Sequence, residues 1–335
     1  MALAPGQNNL ITDVPGLRVG NATDEKAGTG VTVLRCDQPF TAAVEIQGGG
    51  PGTRETDVLA TENLVGHVDA ITLSGGSVFG LAAADGVTQY LANENIGLRL
   101  SPKGPSIPIV SGAVLHDLGN DGDKDWGETS PYSALGVAAA KAADQHFALG
   151  SVGAGRGAMA GRLKGGLGSA SIVLENGVTV GALAAVNPVG SVVLPDGETY
   201  YAQPFAIDNQ LGPANPVTQA DVSDPFPPYS RLSTEPQSAR ANTTLIIVAT
   251  DAKLGRADMK RIAIMAHDGI ARAVRPAHTP FDGDIVFAIA TGNKEIAQEP
   301  PFGAMETAKI GACAADCVAR AIARGAREAM VNDAS

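Results

Sequence analysis

Aromatic residues are scarce in this sequence of 335 residues, where Phe, Trp and Tyr together account for 4%. Hydrophobic residues still make up 44%, so a large core is possible but has to consist mainly of Ala, Val, Ile and Leu. The 41 glycines indicate many tight turns and close approaches between backbone segments. We therefore expect one large domain of the α/β or α+β class that spans residues 1–335.

Basic residues are also fewer than acidic ones. Lys and Arg number 24 against 35 Asp and Glu, so the net charge is 24 − 35 = −11. This sign disfavours nucleic acids and anionic membranes as partners, because both need a basic surface. No apolar run of about 18 residues, the length needed to span a membrane, occurs in the sequence. The first residues also lack the basic and apolar regions of a secretory signal.

Cysteine is rare, and the three residues Cys36, Cys313 and Cys317 are an odd number that does not make a disulfide framework. Cys313 and Cys317 are four residues apart, which is the spacing of one helical face. We expect both thiols to be buried there rather than to bind a metal. These features predict a reduced, cytoplasmic protein.

Motifs of several common site classes are missing. Neither a G-x-S-x-G nucleophile elbow nor an H-E-x-x-H zinc motif occurs. The glycine-rich stretch Gly153–Gly157 has Ala158 in place of the last glycine of a dinucleotide-binding loop. The alternating acids at 121–125 begin like a calcium loop, but Trp126 replaces its glycine and Tyr132 its glutamate. We therefore expect neither a metal nor a cofactor.

Strands and helices are predicted to alternate along the chain. Short apolar runs between turn residues predict strands, and a period of 3.6 residues predicts helices. The predicted strands are 70–73, 107–114, 170–174, 178–186, 243–249 and 284–290, and the predicted helices are 78–91, 133–143, 257–274 and 304–328. Residues 203–240, rich in Pro, Ser, Asn, Asp and Gln, are predicted to form a long surface loop.

Asn242 and Thr243 lie where this loop meets the strand at 243–249. Composition alone makes Thr243 a β-branched residue that opens a strand, but its chemistry permits a second interpretation. A threonine hydroxyl is a weak nucleophile and needs a base. An N-terminal threonine carries one, because its α-amine has an unperturbed pKa of about 8. Cleavage of the Asn242–Thr243 bond would therefore turn Thr243 into a nucleophile.

Asp282 and Asp284 form a second candidate feature. In an extended segment, residues two apart point to the same side, and Gly283 between them permits close backbone approach. Both carboxylates can therefore face Thr243, 39 residues earlier in the sequence. The alternative is that the two acids only form a turn before a strand.

Seven short segments occur in a fixed order over nearly the whole chain: ITDVPGLRVG at 11–20, GGPGTRETD at 49–57, LSGGSVFGL at 73–81, GGLGSA at 165–170, NPVG at 187–190, NTTL at 242–245 and HTPFDGD at 278–284. With them the sequence resembles the P1 peptidase family, which contains the DmpA-type aminopeptidases, the β-peptidyl aminopeptidases and the endo-type 6-aminohexanoate-oligomer (nylon-oligomer) hydrolases. The resemblance implies an α+β fold of the N-terminal-nucleophile-like kind, a four-layer αββα sandwich. It also implies a precursor that cuts itself into chains 1–242 and 243–335, which stay associated and form a homo-oligomer, a tetramer of such heterodimers.

The same resemblance assigns roles to individual positions. The implied catalytic set is Thr243 as the nucleophile, Asn242 before the cut, Asp282 and Asp284 holding the amine and hydroxyl of Thr243, Asn187 as an oxyanion donor and Lys164 close to Thr243; the implied substrate-binding residues are Gly76, Ser77 and Phe79. The combination of Thr243 with the segment Asp282-Gly283-Asp284 is more similar to the pattern of the nylon-oligomer hydrolases than to that of the aminopeptidases. The aminopeptidases carry a serine nucleophile and a Ser-x-Glu segment. Phe79 stands where those hydrolases place a tyrosine.

The expected function is hydrolysis of short oligoamides with a free amine, either 6-aminohexanoate oligomers or the N-terminal residues of peptides. Two alternatives stay open. One is an acyltransferase of the ornithine-acetyltransferase kind, although its Thr-Met-Leu-like run fits Thr243-Thr244-Leu245 less well. The other is a non-catalytic protein that binds small molecules and never matures.

Overall fold

The computed structural model describes residues 3–233 and 242–333. Its strands are β1 (Leu17–Asp24), β2 (Thr29–Ile46), β3 (Thr53–Arg54), β4 (His67–Ser74), β5 (Val110–Val114), β6 (Met159–Ala160), β7 (Leu163–Lys164), β8 (Gly166–Val173), β9 (Thr179–Asn187), β10 (Thr243–Ala252) and β11 (Ile285–Lys294). Its α-helices are α1 (Ala82–Asn93), α2 (Tyr132–Lys141), α3 (Arg256–Ala273) and α4 (Phe302–Asp333).

Most predicted elements are present with shifted ends. The hairpin of β8 and β9 and the helix α3 match the sequence pattern closely. The predicted helix at 78–91 begins instead with a 3-10 turn, Ser77–Leu81, which follows Gly76 in the left-handed region. The predicted loop at 203–240 contains three short 3-10 turns, and its part at 234–240 lies outside the described residues.

One long strand, β2, connects the two halves of the sheet. The strand order is β3-β5-β4-β2-β11-β10-β9-β8, and β1 pairs with β2 outside this path. The first half of β2 pairs with β1 and β4, and its second half pairs with β11. Between these halves the register shifts, from Arg35 to Phe40. The two halves of β2 belong to different layers, because Val31 packs with residues of α1 and α2 and Ala43 packs with residues of α3 and α4.

The four layers follow from the alternation of side chains in the central strands. In β10, Leu245 and Ile247 belong to the core between the two β-layers, whereas Ile246 and Val248 pack against α3 and α4. On the opposite side, α1 and α2 cover the apolar face that includes Val31. The expected αββα sandwich of the α+β class is therefore confirmed.

Small residues allow close packing in the outer helical layer. A Cβ on Gly269 of α3 would lie 2.2 Å from the carbonyl oxygen of Ala315 in α4, so the two helices approach too closely for a larger residue. Cys313 and Cys317 are buried free thiols on α4, as their spacing predicts. Among the described residues, no helix is long and apolar enough to cross a membrane.

Candidate active site

Thr243 lies where three central strands end. It is the first residue of β10 and pairs with Asn187, the last residue of β9. Asn242, just before it, forms a parallel bridge with Asp282, which precedes β11. Because β10 runs parallel to β11 and antiparallel to β9, these strand ends meet at one edge, and Thr243 is only 4% exposed there.

The peptide group between Asn242 and Thr243 is held from several sides. The amide of Asn242 donates to the carbonyl of Phe281 at 3.0 Å, and the amide of Gly283 donates to the carbonyl of Asn242 at 2.9 Å. The Thr243 hydroxyl also donates to that same carbonyl. A potential nucleophile thus lies directly against the carbonyl group that precedes it.

Asp284 joins the strand end to a neighbouring loop. Its Oδ1 accepts the amide of Thr244 at 2.7 Å. Its Oδ2 accepts the amide of His278 at 3.1 Å and lies 2.8 Å from His278 Nδ1. The carboxylate is 1% exposed, so its partners, rather than solvent, fix its position next to the nucleophile candidate.

Asp282 is buried and accepts three hydrogen bonds. Its Oδ1 accepts the amide of Val189 at 3.0 Å, and its Oδ2 accepts the hydroxyl of Thr279 at 2.6 Å and the amide of Thr279 at 3.1 Å. Burial and the nearby charge of Asp284 raise the pKa of Asp282 to about 6, although these hydrogen bonds oppose the rise. The two acids therefore share one poorly solvated site, where a nearby cation would stabilise both.

Two histidines extend this acidic cluster. The ring of His278 packs edge-on against His267 at a centroid distance of 4.9 Å. Burial lowers the pKa of His267 to about 4. Burial also opposes protonation of His278, but the hydrogen bond to Asp284 and the charge of Asp284 outweigh it and raise the pKa of His278. Of the two rings, His278 is thus the one that carries charge more readily, and it does so beside Asp284.

Asn187 is fully buried and its amide group is engaged on both sides. Its Oδ1 accepts the amide of Met159 at 2.9 Å, and its Nδ2 donates to the carbonyl of His116 at 3.2 Å. Met159 begins the short strand β6, and His116 lies just after β5. In the intact chain, Asn187 therefore links these two segments beside Thr243.

A cavity of about 440 Å³ opens beside Thr243. Its walls combine polar and apolar surface in nearly equal parts, and none of the described residues that line it carries a carboxylate. The lining residues are Gly50, Pro51, Gly52, Thr53, Ser77, Val78, Leu81, Val114, Leu115, His116, Asn242 and Thr243. A bond that enters this cavity comes within reach of the Thr243 hydroxyl.

Nearly the whole chain matches one known family. The sequence model of peptidase family S58 matches residues 9–333. The chain belongs to peptidase family S58. An uncharacterised aminopeptidase of Mycobacterium tuberculosis is 44% identical over 95% of this chain and 93% of the relative. A 6-aminohexanoate-oligomer endohydrolase of Paenarthrobacter ureafaciens is 29% identical over 88% of this chain and 78% of the relative.

Solved structures agree on the fold of this S58 member. A β-aminopeptidase of Burkholderia sp. superposes with a TM-score of 0.70 at 24% identity and covers 97% of this chain and 88% of its own. The L-aminopeptidase D-Ala-esterase/amidase of Ochrobactrum anthropi gives 0.68 at 21% identity, with 99% and 88% coverage. The Ochrobactrum enzyme has a variant of the N-terminal-nucleophile hydrolase fold. The chain therefore has this fold, and its membership of a peptidase family makes it an amide-bond hydrolase.

The structure brings together most, but not all, of the sequence-predicted site residues. Thr243, Asn242, Asp282, Asp284 and Asn187 meet at one edge of the sheet. Lys164 lies on the two-residue strand β7 opposite Met159, whose amide binds Asn187. It is therefore one strand pairing away from this cluster, and a direct contact with Thr243 remains a prediction.

One of the three predicted substrate-binding residues lines the cavity, and the other two do not. Ser77 lines the cavity. Gly76 is not in the lining, and its amide donates to Asp117 at 2.7 Å. Phe79 is about half exposed and packs edge-on against Trp126 at 5.5 Å, outside the cavity wall. A role in substrate binding stays a prediction for all three.

Sequence reasoning assigns no role to His278, and it gives Gly283 only that of permitting close backbone approach between Asp282 and Asp284. Both belong to the HTPFDGD segment. The left-handed backbone of His278, with φ of 54°, turns its side chain toward Asp284, and no local pattern predicts that conformation. The contact of Gly283 with Asn242 depends on the pairing of two distant segments.

Proposed function

We propose that this S58 enzyme is a self-processing amide hydrolase whose nucleophile is Thr243, released as an N-terminus by cleavage after Asn242. The precursor would yield chains 1–242 and 243–335. The observation that carries this proposal is the Thr243 hydroxyl lying against the Asn242 carbonyl, which the Gly283 amide also contacts.

After cleavage, the same hydroxyl would attack the substrate. Its proton would pass to the new α-amine of Thr243, and an ester on Thr243 would then be hydrolysed by water. The ammonium form of that amine would be held by Asp282 and Asp284, whose crowding favours a nearby cation. Asn187 would donate to the substrate oxyanion once its contact with the His116 carbonyl is exchanged. Lys164 would add positive charge close to this set.

The two chains would stay associated after cleavage because β10 lies between β9 and β11 in the middle of the sheet. The buried Arg320 and the half-buried Arg324 of α4 add further contacts. Arg320 donates to the carbonyl of Ser171 at 2.8 Å, and Arg324 donates to the carbonyl of Asn9 at 2.6 Å. Each bond joins the small chain to the large one. A homo-oligomer of such heterodimers is part of the proposal.

The proposed substrates are short oligoamides. The described residues that line the cavity include no carboxylate to pair with a terminal ammonium group. Its apolar residues Val78, Leu81 and Val114 can contact an aliphatic acyl segment. This favours a 6-aminohexanoate-type oligoamide over the N-terminal residue of an α-peptide. An acyltransferase of the ornithine-acetyltransferase kind would use the same ester but pass it to an amine. Assays with and without an added acceptor amine separate the two, because a hydrolase forms product without one.

Intact-mass measurement with N-terminal sequencing tests the proposal. The small fragment should begin at Thr243, and Thr243→Val should stay uncut and inactive. Thr244→Val is a matched control, since the buried Thr244 hydroxyl has no hydrogen-bond partner among the described residues. It should mature like the wild type. An active Thr243→Val enzyme, or a fragment that begins elsewhere, would refute the assignment.

A further inference from the structure

We propose that the backbone amide of Gly283 is the oxyanion donor for the self-cleavage step. This inference rests on the proposed function, because it concerns the reaction that releases Thr243. It assigns a catalytic contact to a residue that the sequence suggests only as a spacer between Asp282 and Asp284.

The first observation is the direction of the Asp282–Gly283 peptide group. Its N–H donates to the carbonyl of Asn242 at 2.9 Å, while its C=O accepts the amide of Gly50 at 2.8 Å. The peptide is thus anchored on the side away from the cleavage site. Hydrogen bonds in such a chain polarise one another, so the Gly283 amide is a fixed donor aimed at the carbonyl that would be attacked.

The second observation is that the side-chain amide of Asn187 points elsewhere. Its Nδ2 donates to the carbonyl of His116 at 3.2 Å, and its Oδ1 accepts the Met159 amide. In the intact chain, Gly283 and not Asn187 therefore contacts the Asn242 oxygen. Self-cleavage and substrate hydrolysis would use different oxyanion donors.

The chemistry of the step needs such a donor. The Thr243 hydroxyl attacks the Asn242 carbonyl carbon, forming a C–O bond and placing negative charge on the oxygen that the Gly283 amide contacts. The C–N bond then breaks, and the hydroxyl proton ends on the Thr243 nitrogen. Water hydrolyses the resulting ester, which restores the hydroxyl and leaves the Asn242 carboxylate.

The third observation is that only glycine fits at position 283. A Cβ there would lie 2.7 Å from the Thr243 hydroxyl oxygen and 2.7 Å from the Gly50 carbonyl oxygen. Real Cβ contacts are longer, so a side chain would displace either the nucleophile or the Gly50 segment. Because Gly283 has no side chain, its amide can approach the Asn242 carbonyl while the Thr243 hydroxyl lies beside it.

Self-cleavage of freshly translated chain, followed by intact mass over time, tests this assignment. Gly283→Ala should cleave at least about tenfold more slowly than wild type, since one oxyanion donor typically changes a rate by about 10²–10³. Gly119→Ala is the matched control, because a Cβ at Gly119 has no heavy atom within 4 Å. It should cleave at the wild-type rate.

A second variant separates the lost donor from steric displacement. Incorporation of glycolic acid at position 283 replaces the amide N–H by an ester oxygen and adds no side chain. This chain should also cleave at least about tenfold more slowly, which decides the question if Gly283→Ala fails to fold. Cleavage of the ester variant at the wild-type rate would overturn the inference. A wild-type chain that never cleaves would instead refute the proposed function, and this inference with it.

Discussion

His278 Nδ1 lies 2.8 Å from Oδ2 of Asp284, and the other oxygen of that carboxylate accepts the amide next to Thr243. His278 therefore positions a group that touches the strand of the nucleophile without contacting the nucleophile itself. We expect His278→Ala to lower kcat/KM by roughly tenfold, the order expected for loss of a charge-assisted hydrogen bond.

His278→Asn provides the control for this prediction. Asparagine tolerates the left-handed backbone at 278 and keeps a side-chain donor, so it should retain more activity than alanine. Because protonation of His278 supports its bond to Asp284, activity should fall as pH rises through the pKa of His278, and the two variants should lose this ionisation from the alkaline limb of the kcat/KM profile. Equal activities for Ala and Asn, with an unchanged profile, would show a packing role only.

The acid pair gives the second prediction. Asp282→Asn and Asp284→Asn should each slow hydrolysis by roughly tenfold or more, because the amide keeps the shape but removes the charge that would hold the Thr243 amine. At least one of them should also slow self-cleavage. Single-turnover rates on pre-cleaved enzyme measure the first effect.

Asp123→Asn is a matched control for these two variants. Asp123 is exposed and caps a turn by accepting the Asp125 amide at 2.9 Å, so asparagine should substitute there without effect. Asparagine is also a good turn former. If both Asp282→Asn and Asp284→Asn hydrolysed substrate at the wild-type rate, the two acids would serve only to form a turn.

The fold was largely predictable where one local pattern dominates. The apolar run of β10 and the 3.6-residue face of α3, which includes Met259 and Ile270, both match the structure, and both residues are buried. The sequence pattern does not predict β1 or β2. In β2, pairing partners change along the strand, so its burial pattern has no single period to detect.

The site was predictable only in part, for a similar reason. The spacing of two places the carboxylates of Asp282 and Asp284 on one side of an extended segment, and the family resemblance implies that this side faces Thr243. The roles of His278 and Gly283 depend on a left-handed backbone and on pairing between distant segments. Neither the backbone conformation nor the long-range pairing can be recognised from local composition.

The raised pKa of Asp282, about 6 against 3.8, predicts a pH-dependent stability. Its protonated form is favoured in the folded state, so its contribution is complete below 3.8 and is lost as pH rises through about 6. In the uncut Thr243→Ala chain, ionisation of Asp282 should lower the free energy of unfolding by about 1 kcal/mol as pH rises from 5 to 7.5.

Comparison with Asp282→Asn in the same background isolates this effect. The raised pKa of His278 also makes the folded chain less stable as pH rises. The lowered pKa of His267, about 4, has the opposite effect, because its contribution to stability is lost as pH falls. Urea titrations of both chains at the two pH values should show a smaller loss in the Asn variant. Identical pH dependence would contradict the assignment to Asp282.

Asn187 gives the fourth prediction. Asn187→Asp keeps an acceptor for the Met159 amide but lacks the Nδ2 donor, so kcat for substrate should fall by about 10²–10³. Self-cleavage should fall less, because the Asn242 carbonyl is contacted by Gly283. Parallel measurement of kcat, self-cleavage rate and Tm decides the matter. An equal loss in all three would identify Asn187 as a structural residue only.

The last prediction concerns the end of the substrate. None of the described residues that line the cavity beside Thr243 carries a carboxylate, and a buried ammonium group without a partner is strongly unfavourable. An N-acetylated 6-aminohexanoate oligomer should therefore be cleaved with a kcat/KM within a few-fold of that of the free-amine oligomer. A matched α-peptide pair, with and without an N-acetyl group, provides the control for general effects of capping. An exopeptidase that anchors the terminal ammonium would lose most of its activity on both capped substrates. Acetylation removes the ammonium charge, so the buried enzyme residue that pairs with it would be left without a partner. That outcome would assign the enzyme to the removal of N-terminal residues and would require an acidic residue beyond the described cavity wall.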